Sequence, residues 1–290
     1  MDNYILSEYD SALAAILESG ITISGDRTGV GTRCKFGLST SYDISTRVPI
    51  LTKRKMVWKS FVKELLWYIS GSSNINDLER MGSNIWTPWK NAEFTTKNHF
   101  PDGSGGYIYG ANLIHYGAAL DDPNLDAGFN QLNYVIDTLR NNPASRQALF
   151  TFWRPDTNNR AILPACHAMY HFILIPDEQG QLTRLDCHLF QRSCDYPIGG
   201  PANLFIASMF VYMIAQQLRV SPNRLYHYAS HAHVYTNAIE ASTEYLARSE
   251  SPDSPILLLN YKPSMYDYTV DDFDIVDYNP LPPIKFPIAV

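Results

Sequence analysis

At 290 residues the chain is long enough to bury one large core or two ordinary ones. Apolar residues make up 45% and charged residues 18%, a globular balance that excludes disorder, and the net charge of −6 argues against sequence-independent binding to nucleic acid. The four cysteines have no CxxC spacing and the start MDNYILSEYD has no basic or apolar leader pattern, so a cytosolic protein with reduced thiols is expected, without a disulfide framework or a zinc site.

Residues 4–18 place Ile5, Tyr9, Leu13, Ile16 and Leu17 at helical spacing, and Ser19-Gly20 ends that helix. A Gly/Thr-rich loop, SGDRTGVGT at 24–32, carries Arg27 and runs into an alternating strand at 33–40. Residues 57–70 form a strongly apolar helix with a single acid, Glu64, which on position alone belongs at the wet edge. Residues 83–117, rich in Gly, Asn and aromatics, read as a long irregular excursion with Trp86 and Trp89 near its start. An amphipathic helix at 129–140 closes on Asn141-Asn142-Pro143. Three strands follow at 147–153, 168–175 and 183–190, the last two joined by a turn at 177–181. The run 204–219 is a buried helix, too short for a membrane span and interrupted by Gln216 and Gln217. A strand at 225–235, a helix at 237–248 and a proline-punctuated, strand-like tail from 251 complete the chain. There is no repeat, low-complexity tract or linker, so a single α+β domain over 1–290 is expected.

The chemistry concentrates in 186–203, DCHLFQRSCDYPIGGPAN, a polar cluster between a strand and the buried helix. Upstream, Cys166 and His167 are adjacent just where a strand begins. Most free cysteines are small buried hydrophobes, whereas one beside a cation supplies a thiolate nucleophile; the local sequence leaves these two balanced. Arg192 and Ser193 offer a fork of donors and a hydroxyl suited to phosphate, and Arg27 and Arg146 are further candidates. Asn203 can read an adjacent C=O and N–H of a ring through one amide, or it can cap the helix that follows. A cysteine hydrolase built on Cys166-His167 is an alternative, but it leaves the arginines and Asn203 unexplained. A catalytically silent binding protein is another.

The segments DRTGVGT (26–32), ELLWYISGSSNI (64–75), IW (85–86), YIYG (107–110), PACH (164–167), QRSCD (191–195), HVYTN (233–237) and DDFDIVDYNPLPPIKFPIAV (271–290) together resemble the thymidylate synthase family, in family order and over nearly the whole chain. The resemblance implies one α+β domain whose large mixed sheet packs against helices on one face and against a second copy on the other. It also implies one-carbon transfer from 5,10-methylenetetrahydrofolate to C5 of dUMP, with no metal. Cys166 resembles the nucleophile that adds to C6. Arg27, Gln191, Arg192, Ser193 and Asp195, with Arg146 donated by the partner copy, resemble the substrate cradle. Asn203 is similar to the amide that selects uracil, and His233 and Tyr235 to the ligands of the sugar hydroxyl. Glu64, Tyr109 and His167 resemble the groups that order water for proton transfer, which reverses the wet-edge reading of Glu64. Trp86, Trp89, Asp195, Gly199, Ala289 and Val290 correspond to the folate side.

Four departures from the synthase pattern stand out. Gln147 replaces a second arginine, His171 a glutamine, and Ala202 a phenylalanine, while Ala111-Asn112-Leu113-Ile114-His115 replaces a more polar run containing tryptophan. Hydride transfer to the C5 methylene needs water excluded, and an alanine at 202 opens room for water. On that ground the expected product is 5-hydroxymethyl-dUMP, made by a deoxyuridylate hydroxymethylase, with thymidylate synthase proper as the alternative. Low arginine and an unusual cavity suit a bacteriophage enzyme acting in its host's cytoplasm.

Overall fold

The computed structural model describes residues 5–25, 28–120, 122, 124, 126–249 and 254–289. Tyr9, Ala12, Leu13 and Ile16 share the buried face of α1 (Ser7–Ser19). After the short β1 (Ile21–Ile23), the alternation read at 33–40 extends into the long β2 (Thr32–Asp43). Helix α2 (Trp58–Ile69) buries Phe61, Val62, Leu65, Trp67 and Tyr68, and Glu64 with them. The stretch read as irregular is partly helical: α3 (Ile75–Arg80) precedes it, and it contains a single turn at Thr87–Trp89, α4 (Ala92–Asn98) and α5 (Tyr109–Ile114). These helices are too short to show an apolar period, which is why the sequence hides them.

Helix α6 (Gln131–Asn141) begins behind Asn130, whose side chain accepts from the Asn133 N–H. The strands β3 (Leu149–Thr151), β4 (His167–Pro176), β5 (Leu182–Gln191) and β6 (Cys194–Asp195) follow. Helix α7 (Gly199–Leu218) starts five residues earlier than the apolar run indicated. Pro201 is tolerated there because first-turn N–H groups have no intrahelical partner to lose. Asn203 is therefore inside the helix and does not cap it. β7 (Ser221–Tyr235), α8 (Ile239–Ala247), β8 (Ile256–Leu259) and β9 (Phe273–Val276) complete the set.

Among the described residues, seven strands form one mixed sheet in the order β1-β2-β7-β5-β4-β3, with β6 beside β7; β8 and β9 pair separately. The β5–β7 and β6–β7 pairs are parallel and the other ladders antiparallel, so α7 is the crossover of a β-α-β unit. α7 is apolar on nearly every side, burying Leu204, Phe205, Met209, Phe210, Met213 and Ile214 between the sheet and the other helices. The opposite sheet face carries His171, His188, Phe190, Tyr226 and Tyr228. There the His188 ring stacks on Tyr226 at 4.6 Å and Phe190 on Tyr228 at 4.8 Å. Phe190 is 37% exposed there, and among the described residues no element covers it. Among the described residues no helix is long and apolar enough to cross a membrane.

Candidate active site

Cys166 stands one residue before β4, where a register shift between His167 and Met169 interrupts the ladder with β5. Such bulges re-aim side chains at strand ends. The Cys166 N–H donates to the Tyr109 hydroxyl at 3.0 Å, and its carbonyl accepts from the Arg192 N–H at 3.0 Å. Two elements thus fix the half-buried sulfur. The Arg192 guanidinium donates to the carbonyls of Pro164 (2.5 Å) and Ala165 (2.9 Å) and comes within 3.9 Å of Cys166 Sγ. It also lies over the Trp153 ring at 5.2 Å. A guanidinium held there favours negative charge on the sulfur and keeps a donor edge for an anion. Ser193 follows in the same half-buried turn.

The proton-handling candidates converge on this point. Glu64 is buried, and its Oε1 accepts from the Tyr68 hydroxyl at 2.5 Å and from Trp86 Nε1 at 2.6 Å. Burial holds its carboxyl above the ordinary range, against the pull of those two donors. Trp86 packs edge-on to Tyr109 at 5.8 Å, and Tyr109 stacks on Tyr68 at 4.6 Å and stands edge-on to His167 at 5.3 Å. Burial pushes the Tyr109 phenol upward. His167 is pushed down to about 4 by burial, opposed by a hydrogen bond with Asn203, so its imidazole is neutral. Its Nδ1 lies 2.7 Å from the Tyr170 hydroxyl. Gln191, on the inner face of β5, is 2.7 Å from His227 Nε2 and buried with it.

On the other flank, Asp195 of β6 is in register with His233 of β7, whose ring meets Tyr235 at 5.1 Å. Burial lifts the Asp195 carboxyl to about 7 against the Ile198 N–H and Arg54, and its buried Oδ1 has no hydrogen-bond partner. Trp89 Nε1 is likewise buried without a partner, while Trp89 packs on Trp86 at 5.8 Å. Gly199 lies against both neighbours: a Cβ there would sit 3.6 Å from Asn203 Nδ2 and 3.9 Å from Asp195 Cβ. The tail returns to this corner, with Phe286 on the Arg54 guanidinium at 4.8 Å and Ala289 half-buried. Arg54 itself donates to the Pro197 carbonyl at 2.6 Å.

Besides the candidates on the flank around Asp195, His233, Tyr235 and Gly199, three placements can be told apart. Cys166, Tyr109, His167, Asn203, Arg192, Glu64 and Trp86 form one connected set. Arg146 is exposed on the loop between α6 and β3. Arg27 and Val290 lie outside the described residues. Tyr68, Tyr170 and Arg54 escape a sequence reading, since each sits in a run that reads as core or as an ordinary basic turn. The one available signal is a tyrosine at 68 and at 170 among positions that packing alone would fill with phenylalanine.

This arrangement fits a cysteine nucleophile facing a polar ring, with an anion at its side and a buried proton relay behind it. The family model described as thymidylate synthase matches residues 7–290. The thymidylate synthase of human herpesvirus 8 is 35% identical over 271 residues, 91% of this chain and 79% of that protein. The human thymidylate synthase is 34% identical over 289 residues, covering 98% and 90%. The bifunctional dihydrofolate reductase-thymidylate synthase of Zea mays is 35% identical over 290 residues, 98% of this chain but 54% of the longer plant protein. The chain belongs to the thymidylate synthase family.

Proposed function

We propose that the protein is a thymidylate synthase in the strict sense, methylating dUMP reductively at C5. Whole-length relatives named as synthases support this over the hydration expected from Ala202. The observation that carries the reading is Cys166 held between Tyr109 and Arg192, with the His167–Asn203 pair beside it. Cys166 adds to C6 of the pyrimidine, and charge moves to C5 and the neighbouring carbonyl. Arg192 and Ser193, joined by Arg27 and by Arg146 of a second copy, hold the phosphate. His233 and Tyr235 take the sugar hydroxyl, and Asn203 takes the base. Glu64 and His167 move protons at the ring carbonyl and at C5, with Tyr109 fixing the nucleophile's backbone.

When bound, 5,10-methylenetetrahydrofolate supplies the one-carbon unit and the hydride. The two orphaned polar atoms fit such a planar ring system: Asp195 Oδ1 can accept from a ring N–H and Trp89 Nε1 can donate. Trp86, Gly199 and Ala289 with Val290 would complete that wall. The aromatic outer face of the sheet would be covered by the second copy that brings Arg146.

The deciding experiment incubates the protein with dUMP and methylenetetrahydrofolate and follows dihydrofolate by absorbance. Dihydrofolate formed in step with dTMP is the expected result. 5-Hydroxymethyl-dUMP without dihydrofolate would establish the hydroxymethylase instead.

A further inference from the structure

Tyr170 is fully buried in an aromatic cage, stacked on Phe150 at 4.9 Å and packed on Phe152, Phe172 and Phe210. Phenylalanine would fill that cage equally well, and a buried hydroxyl costs free energy unless it is bonded. Its hydrogen bond is with His167 Nδ1, at 2.7 Å. Residues three apart on a regular strand face opposite ways. The register shift between His167 and Met169 turns His167 to the same inner face as Tyr170. The bulge and the hydroxyl therefore act on one imidazole.

We infer that Tyr170 is a positioning residue for base selection: by donating to Nδ1 it holds His167 as the Nε2–H tautomer, and so fixes which way the Asn203 amide faces. The inference rests on reading the site as one for a uracil nucleotide. Burial keeps His167 neutral and the Tyr170 phenol protonated, so one ring nitrogen donates and the other accepts. Were Nδ1 the donor, the Tyr170 hydrogen would have no acceptor among its aromatic neighbours, an uncompensated buried polar group. With Nε2 protonated, Asn203 Oδ1 accepts from His167 and also faces the ring N–H, while Nδ2 donates to the ring carbonyl. Cytosine presents the reverse pattern at those two positions. Accommodating it requires a flipped amide, which sets Nδ2–H against Nε2–H.

Tyr170→Phe keeps the cage filled and releases the tautomer. Discrimination, measured as kcat/KM for dUMP against the inhibition constant of dCMP, should fall roughly tenfold, the worth of one buried hydrogen bond. An unchanged ratio in a folded variant would overturn the inference. In the unaltered protein, nitrogen NMR of labelled histidine should report Nε2–H for His167, and an Nδ1–H tautomer overturns it whatever the variant does. That spectrum needs no turnover. Absence of dUMP turnover by the unaltered protein with its folate would instead count against the proposed function.

Discussion

Both hydrogen bonds to the Glu64 carboxyl fall on Oε1, from Tyr68 and Trp86. Donors on one oxygen stabilise the carboxylate and leave Oε2 to carry the proton. Tyr68→Phe removes one donor at nearly constant volume, so the Glu64 pKa should rise further. The corresponding limb of the kcat/KM pH profile should move upward. A lower rate with an unmoved limb would mean that Tyr68 only packs. Asp195 gives a second residue-scale prediction, in stability. Its folded pKa of about 7 exceeds the ordinary 3.8 of an aspartate, so between those values the folded state keeps a proton that the unfolded chain has released. Stability without ligand should therefore fall as pH rises through that window, by up to about 4 kcal/mol, and level off above it. Asp195→Asn should flatten this dependence in urea titrations and leave the protein more stable than the parent at about pH 8. Cys166, Arg192 beside it and Asn203 were legible in sequence as candidate residue types. The two supporting tyrosines were not, because a core aromatic and a hydrogen-bonding one are spelled alike.

At the scale of elements, α5 shows why a tight motif is tight. A Cβ on Gly110 would lie 2.1 Å from the Ser72 carbonyl oxygen and 3.0 Å from the backbone of Gly71. Helix α5 packs its backbone directly on that turn and so sets the height of Tyr109 under Cys166. Gly110→Ala must push the helix away, costing about 1–3 kcal/mol in stability. The same shift should lower kcat with dUMP more than it raises KM, and thermal unfolding with steady-state kinetics separates the two effects. The long helices and strands were readable from periodicity to within a few residues. The bulge after His167 and the early start of α7 were not. A register shift has no residue signature of its own, and Gly-Gly-Pro reads as a turn until the unpaired N–H groups of a first helical turn are considered.

For the whole molecule, the uncovered sheet face is the dominant surface feature. Phe190 and Tyr228 stack there in the open, next to the His171–His188 pair at 6.1 Å. If a second copy covers that face, Phe190→Asp should leave the fold intact and shift sedimentation at micromolar concentration from dimer to monomer. Activity should drop with it, since Arg146 would no longer reach a partner's site. The α+β class was expected from the mixture of periodic segments without a repeat or linker, and the large mixed sheet from the family resemblance. The face left bare by the helices did not follow from alternation, which marks two faces of a strand without saying what covers each.

The ladder between β2 and β7 pairs Thr32 with Tyr235 and Asp43 with Arg224. A strand made near the beginning of synthesis must therefore wait for one made near the end. During translation β2 is an unsatisfied edge, and the parallel β5–β7 pair beside it closes only after α7 has crossed over. Such long-range pairing makes folding slow and exposes the nascent chain to aggregation. The ladder that carries His233 and Tyr235 thus ties assembly of this protein to completion of the polypeptide.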